Sequence, residues 1–153
     1  MDNKYYIPSI EEFHVGFEYE ELASGDRFTS SAHGKWVPLI QDENDFLAVY
    51  ESYSILPELI KDEKLRVKYL DQEDIESLGW NYEKLSAGTE SYYFTKDEYW
   101  MDIDFNFNGK IWLRIYESQG TVESELNYFS GFLNNKSELR KLLTQLGIEV
   151  DNK

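Results

Sequence analysis

The sequence contains no cysteine and only two histidines in 153 residues. Without cysteine there is no thiolate nucleophile, no disulfide framework and no cysteine-based metal site. Histidine is the side chain most often used in acid–base catalysis, and His14 and His33 are far apart in the sequence. We therefore lean against an enzyme and expect neither a bound metal nor a cofactor. The lack of cysteine also fits a reducing cytoplasm.

Basic residues are also scarce, with 15 lysines and arginines against 30 acidic residues and a net charge of −15. Such a charge repels phosphate backbones, so we expect no direct binding of nucleic acid. The excess is uneven, because residues 1–51 hold 11 acids and 3 bases whereas residues 103–153 hold 7 and 6. An acidic surface keeps a protein in solution, and it can also face a basic partner. Both interpretations stay open at this point.

Long apolar runs are missing as well, so no segment predicts a membrane span. The first residues contain no apolar signal core, and we expect a cytoplasmic protein. The glycine-rich loops of nucleotide-binding proteins, the HExxH of zinc proteases and the GxSxG of serine hydrolases do not occur. Sequence motifs therefore assign no reaction.

Aromatic residues are abundant, with 4 Trp, 12 Tyr and 9 Phe. They bury large areas from few positions, so a chain of this length can build a core. No repeat or flexible linker divides the sequence, which predicts one domain over residues 1–153. Strand and helix patterns both occur. The predicted fold is α+β, with a mostly antiparallel sheet and a C-terminal helix packed on one face.

Residues 99–117 give the clearest local pattern, a hairpin around Asn108-Gly109. A three-residue loop, 107–109, keeps the apolar residues of both strands on one face, whereas a two-residue loop would bury acids beside leucine and isoleucine. The predicted register places Asp102 opposite Arg114 and Trp100 opposite Tyr116. The buried face is predicted to hold Met101, Ile103, Phe105, Ile111, Leu113 and Ile115.

Other segments have weaker signals. Residues 12–20 alternate as a half-buried strand, and Pro38 predicts that the short strand at residues 35–40 is an edge strand or a bulged one. Residues 42–64 are ambiguous, with a helix broken near Pro57 as one option. Further predictions are a strand at 65–69, a helix capped by Asp71, a strand at 128–133, a final helix capped by Asn135 and a frayed tail.

The other face of the hairpin is the main candidate binding site, with Trp100, Asp102, Asp104, Trp112, Arg114 and Tyr116. Two carboxylates on one strand face could bind a divalent metal or act as acid and base, but Asp102 paired with Arg114 on a solvated face is the commoner arrangement. The rings and the arginine could form an exposed platform that stacks a base or a peptide side chain. A helix covering this face would instead make the rings part of the core. Glu18 and Glu20 are a second candidate binding group, near His14.

Three stretches, YIPSIEEFHVGFEYE, RVKYLDQEDIESLGW and GFLNNKSELRKLLTQLGI, resemble a group of small uncharacterised acidic proteins of gut bacteria and their bacteriophages. The resemblance covers about a third of the chain. It implies a cytoplasmic protein carried by a phage or a mobile element, and it transfers no functional residue. Small acidic phage proteins often bind host machinery.

These observations favour a non-enzymatic interaction protein that inhibits or sequesters a host factor with a basic surface, or binds a small ligand. The alternative is a nucleotide- or small-ligand-binding module, or an enzyme, that uses Asp102, Asp104 and the face of Trp100, Trp112 and Arg114. A third hypothesis is a structural subunit of a larger particle.

Overall fold

A computed structural model describes residues 4–43, 55–84, 91–118 and 125–151. They form two antiparallel sheets with helices, which confirms the α+β class. The chain divides into two compact units, Met1–Tyr69 and Leu70–Lys153. The expectation of a single domain over 1–153 stays a prediction. No helix in the described ranges is long and apolar enough to cross a membrane.

In the described residues, the N-terminal unit has a four-stranded sheet in the order β1-β4-β2-β3 and a helix that packs with it in one apolar cluster. The strands are β1 (Tyr5–Tyr6), β2 (Glu18–Leu22), β3 (Trp36–Ile40) and β4 (Leu65–Lys68), and the helix is α1 (Leu56–Lys61). One apolar cluster fills this unit and consists of Phe13, Phe17, Tyr19, Leu56, Leu59, Leu65 and Val67.

The strand predicted over residues 12–20 was wrong for its first half. A 3₁₀ turn covers Ile10–Glu12, and β2 begins only at Glu18. Gly16 has a φ of +87°, a left-handed conformation that breaks an extended strand and that glycine adopts without strain. Phe13 and Phe17 still reach the core, but Val15 is 53% exposed because the turn directs it outward.

Two prolines lie where their geometry is tolerated. Pro38 is in β3, which lies at the edge of the sheet as predicted. Pro57 is in the first turn of α1, where its missing N–H costs nothing, so it begins a helix and does not break one. Of the ambiguous segment 42–64, residues 44–54 lie outside the described residues.

The C-terminal unit has a five-stranded sheet in sequential order, β5-β6-β7-β8-β9. The strands are β5 (Asn81–Glu83), β6 (Tyr92–Lys96), β7 (Tyr99–Phe107), β8 (Lys110–Ser118) and β9 (Glu125–Phe132), and the helices are α2 (Gln72–Ser77) and α3 (Lys136–Gln145). The sequence analysis did not predict β5 or β6. The buried residues of this unit include Trp80, Phe94, Met101, Ile103, Leu113, Ile115, Leu139 and Leu143.

The hairpin of β7 and β8 confirms the predicted register and corrects the predicted turn. Asp102 pairs with Arg114 and Asp104 with Trp112, but Phe107 pairs with Lys110 across a two-residue loop. Asn108 and Gly109 both have positive φ, as this tight turn requires. A register shift between Asp104 and Phe107 absorbs the extra residue. Because of the bulge, the two-residue turn still places the apolar residues on the buried face that the three-residue loop predicted. Phe105 is the exception, since it is only half-buried.

Both predicted helix caps are confirmed. The side chain of Asp71 accepts a hydrogen bond from the Asp74 amide at 3.0 Å, and that of Asn135 accepts from the Glu138 amide at 2.9 Å. Helix α3 packs on one face of the five-stranded sheet, with Leu139 and Leu143 fully buried. The prediction of a frayed tail is wrong as far as Asp151, because the Asp151 amide donates to the carbonyl of Leu78 at 3.2 Å.

Candidate functional site

The first candidate surface is the hairpin face named from the sequence. Arg114 donates from Nη2 and Nε to Asp102 Oδ2 at 2.6 and 3.2 Å, and from Nη1 to Glu125 Oε2 at 3.2 Å. Its guanidinium also lies over the Tyr116 ring, 4.2 Å from the centroid. Burial alone would lower the pKa of Arg114, but the hydrogen bond and charge of Asp102 outweigh it and raise that pKa. Arg114 therefore already has three partners within the protein, which are Asp102, Glu125 and the ring of Tyr116.

Tyr116 completes the same network. It is 6% exposed, and its hydroxyl donates to Asp102 Oδ1 at 3.0 Å. Burial, and then the negative charge of Asp102, raise the pKa of this phenol well above its ordinary value. The Asp102 carboxylate therefore accepts hydrogen bonds from the guanidinium of Arg114 and from the hydroxyl of Tyr116, so both of its oxygens already have partners within the protein.

Asp104 is not part of this network. Its Oδ1 accepts from the backbone amide of Asn106 at 2.9 Å, inside the bulge of β7. The two carboxylates of the Asp-x-Asp pair are thus engaged by different partners. Among the residues that the structure describes, no group of three or more His, Asp or Glu is placed to hold a metal ion.

The rings of this face differ in burial, because Tyr116 is part of the core whereas the two tryptophans are neither core nor an open platform. Trp100 and Trp112 are half-buried, like Asp102 and Arg114. The most open apolar area lies at the hairpin end, where Phe107 is 46% and Phe132 51% exposed. Their ring centroids are 6.1 Å apart, and Phe107 lies 6.4 Å from Trp112. This end of the sheet offers apolar contact area beside the charge of Lys110, whose Nζ lies 5.6 Å from the centroid of the Phe132 ring.

Glu18 and Glu20 do not join this surface, since they lie on β2 in the N-terminal unit. Glu20 pairs with Arg66 of β4, and the Arg66 guanidinium lies over the rings of Tyr5 and Trp36 at 3.8 and 4.2 Å. Glu18 and Glu20 are both half-buried. Near them, His14 Nδ1 lies 2.8 Å from the carbonyl oxygen of Glu12, and its ring packs near Phe17. These groups form contacts within the unit and present few free charges.

A third surface, which sequence reasoning missed, is a cleft in the N-terminal unit that we call the Glu21 cleft. Its volume is about 330 Å³, near the lower limit for small-ligand pockets. It is lined by Glu21, Ser24, Gly25, Asp26, Arg27, Ile55, Glu58, Leu59, Asp62 and Lys64. Four carboxylates and two cations thus surround one small cavity.

Glu21 is the unusual group in this cleft. It is 2% exposed, and its Oε1 accepts from Arg27 Nη1 at 3.2 Å. Its other oxygen, Oε2, is buried and has no hydrogen-bond partner among the described residues. Burial raises the pKa of this carboxyl, while the charges of Arg27 and Lys64 act to lower it. A buried carboxylate oxygen without a donor is costly, so it calls for an explanation.

The alternation of the sequence contained a signal for Glu21. Phe17 and Tyr19 are two residues apart and both buried, and Glu21 is the next residue in the same period of two. A glutamate at the inward position of an amphipathic strand breaks the pattern. The sequence could therefore have indicated a buried acid here, although not the loop and helix that form the cleft with it.

Comparison with protein-family models, with curated proteins and with solved structures finds no match to this chain.

Proposed function

We propose that this chain is a non-enzymatic interaction protein that binds a partner with a basic surface, and that the Glu21 cleft is the centre of the contact. The observation that carries the proposal is the grouping of four acids, Glu21, Asp26, Glu58 and Asp62, around one cavity. Acidic groups at an interface steer a basic partner and fix its orientation.

The lining also offers apolar contact area. Ile55 is 46% exposed and Leu59 lies at the base of the same cleft, 8% exposed. Interfaces combine an apolar centre with a polar rim, and this cleft has both in a small area. The charge distribution of the chain supports the same unit, because residues 1–51 carry the largest acidic excess.

The alternative of an enzyme or nucleotide-binding module at Asp102 and Asp104 receives less support. Asp102 is engaged by Arg114 and Tyr116, and Asp104 by a backbone amide. The proposal includes the expectation that the partner is a host protein and that the chain, carried by a phage or mobile element, inhibits or sequesters it in the cytoplasm. A structural subunit of a larger particle is not favoured by any specific contact.

The test compares two pairs of neutralised acids by their effect on binding of a fluorescent decalysine peptide. Glu58→Gln with Asp62→Asn removes two charges from the cleft, and Glu98→Gln with Glu149→Gln removes two exposed charges from the C-terminal unit. We expect the cleft pair to weaken binding about tenfold and the control pair about twofold or less, because only a localised contact distinguishes them. Equal effects would show that the acidity acts only through net charge, and the proposal would fail.

Salt and charge reversal provide a second measurement. Association should slow markedly between low and physiological ionic strength, since the Debye length falls to about 8 Å at 0.15 M. Reversal of Glu11, Glu12, Glu18 and Glu20 to Lys changes the net charge by eight units, so we expect it to weaken peptide binding through long-range attraction in addition to any local contact. Because Glu20 is paired with Arg66, we also expect it to lower thermal stability. A rate that does not change with salt would contradict electrostatic steering.

A further inference from the structure

We infer that the Glu21 cleft is a binding site for an organic cation, a guanidinium or ammonium group on an aliphatic stem, which donates to the free oxygen of Glu21. The inference rests on the proposed function, since the expected carrier of the cation is an arginine or lysine side chain of the partner. It adds the chemistry of the group that is bound and the atom that binds it.

One oxygen of Glu21 is an acceptor without a donor. In the part of the chain that the structure describes, nothing donates to the buried Oε2, while Oε1 of the same carboxylate accepts from Arg27. An ionised carboxylate has room for several donors and is stabilised most by charged ones. A cation placed in the cleft would supply the donor that Oε2 lacks.

The Glu21 carboxylate already accepts one guanidinium, that of Arg27. Arg27 reaches Glu21 from the 3₁₀ turn Gly25–Arg27, and its side chain is still 49% exposed. Its hydrogen bond is to Oε1 only. Oε2 is therefore left as the acceptor for a second cation, as in an acid that pairs with two arginines.

The other lining residues indicate the kind of cation. Asp26, Glu58 and Asp62 line the cleft together with Ile55 and Leu59. The acids are exposed, so they are suited to attract a cation, and the two apolar side chains are suited to contact a methylene stem. Among the described residues no three acids or histidines are placed to share a metal ion, so the donor set fits an organic cation better than a metal.

The experiment titrates the full chain with n-propylguanidinium and with n-propylurea, its neutral analogue of nearly the same shape. Binding is followed by calorimetry and by the backbone amide signals of Gly25 and Lys64. We expect the guanidinium to bind and to shift these signals, and the urea to bind at least about tenfold more weakly, because it cannot form the charged hydrogen bond. Equal binding of the two compounds would overturn the inference.

Two variants locate the binding atom. Glu21→Gln keeps the size of the side chain and removes its charge, whereas Glu20→Gln does the same at the neighbouring residue, which pairs with Arg66. We expect Glu21→Gln to weaken binding of n-propylguanidinium about tenfold and Glu20→Gln to change it less than about twofold. Unchanged binding in a folded Glu21→Gln variant would overturn the inference. If that variant does not fold, the amide shifts of the unaltered chain decide, and shifts confined to the C-terminal unit would overturn it.

A last comparison identifies the carrier and separates the two proposals. The peptide Gly-Gly-Arg-Gly-Gly should bind more tightly than n-propylguanidinium if the cation belongs to a protein partner, and more weakly if it belongs to a small molecule. Binding of decalysine at the cleft without any binding of the small cation would overturn the inference and leave the proposed function standing. Binding of the small cation without localised peptide binding would support the inference and contradict the proposed function.

Discussion

Arg114 Nη2 lies 2.6 Å from Asp102 Oδ2 across neighbouring strands of the C-terminal sheet. The two side chains are 31% and 13% exposed, so solvent only partly screens the pair. The same carboxylate accepts from the hydroxyl of Tyr116. This network turns the most suggestive sequence feature, two aspartates beside tryptophan and arginine, into a stabilising contact between β7 and β8.

Replacement of Asp102 by Ala should therefore destabilise the protein. It leaves Arg114 with only Glu125 and leaves the buried hydroxyl of Tyr116 without its acceptor. We expect a loss of about 1–3 kcal/mol in the free energy of unfolding, measured by urea denaturation. Asp104→Ala is the matched control, since it removes only a hydrogen bond to Asn106 and should cost less than about 1 kcal/mol. Equal losses would show that the network contributes nothing.

The raised pKa of Tyr116 predicts a loss of stability in alkali. Burial and Asp102 hold this phenol neutral in the folded protein, whereas in the unfolded chain it ionises near its ordinary value of 10.0. The stabilisation is complete below pH 10.0 and declines as the pH rises above it, because only the unfolded state then releases the proton. Thermal melts between neutral and alkaline pH should fall less steeply in Tyr116→Phe. A parallel decline in both proteins would contradict this assignment.

Glu21 predicts a pH dependence in acid with a clear sign. Its pKa is raised by burial, so the folded state keeps the proton to a higher pH than the unfolded chain does and loses stability as the pH rises through the ordinary value of 4.5 and beyond. Glu21→Gln removes this loss. The variant should gain stability relative to the unaltered protein as the pH rises from below 4.5 to neutral, as measured by denaturation at several pH values.

Leu113 tests the buried face of the hairpin. Its side chain is fully buried and pairs with Ile103 across the strands. Leu113→Ala should cost about 2–5 kcal/mol in the free energy of unfolding, through lost burial and the cavity that remains. Phe132→Ala, at a residue that is 51% exposed in the neighbouring strand, should cost clearly less. A small effect at Leu113 would mean that the face is loosely packed.

The C-terminal helix predicts the behaviour of a truncated chain. Leu139, Leu143 and Ile148 are buried, and the segment as far as Asp151 is held by backbone hydrogen bonds. Removal of residues 135–153 would expose apolar area of the five-stranded sheet, so the truncated protein should aggregate. Light scattering and a thermal melt measure this outcome. A monomeric truncation with a cooperative melt would show that the helix is not needed for the sheet.

The sequence by itself determined the features that depend on neighbours in the chain. The caps at Asp71 and Asn135, the place of the hairpin at Asn108-Gly109, the edge position of Pro38 and the pairing of Asp102 with Arg114 all follow from local backbone preferences or from the period of two in a strand. The length of the hairpin loop does not, because it depends on the bulge in β7. The same rules failed where a single glycine, Gly16, changed the direction of an alternating segment.

Only the tertiary structure decided which charged groups are free. It brought Glu21 of β2, the nearby turn containing Arg27 and helix α1 with Glu58 and Asp62 around one cleft, although Glu58 lies 37 positions after Glu21 in the sequence. It also placed Asp102 in contact with Arg114 and Tyr116, and left Phe132 of the same sheet exposed to solvent. Burial and pairing of a charge depend on contacts between distant segments, and no local pattern of residues encodes them.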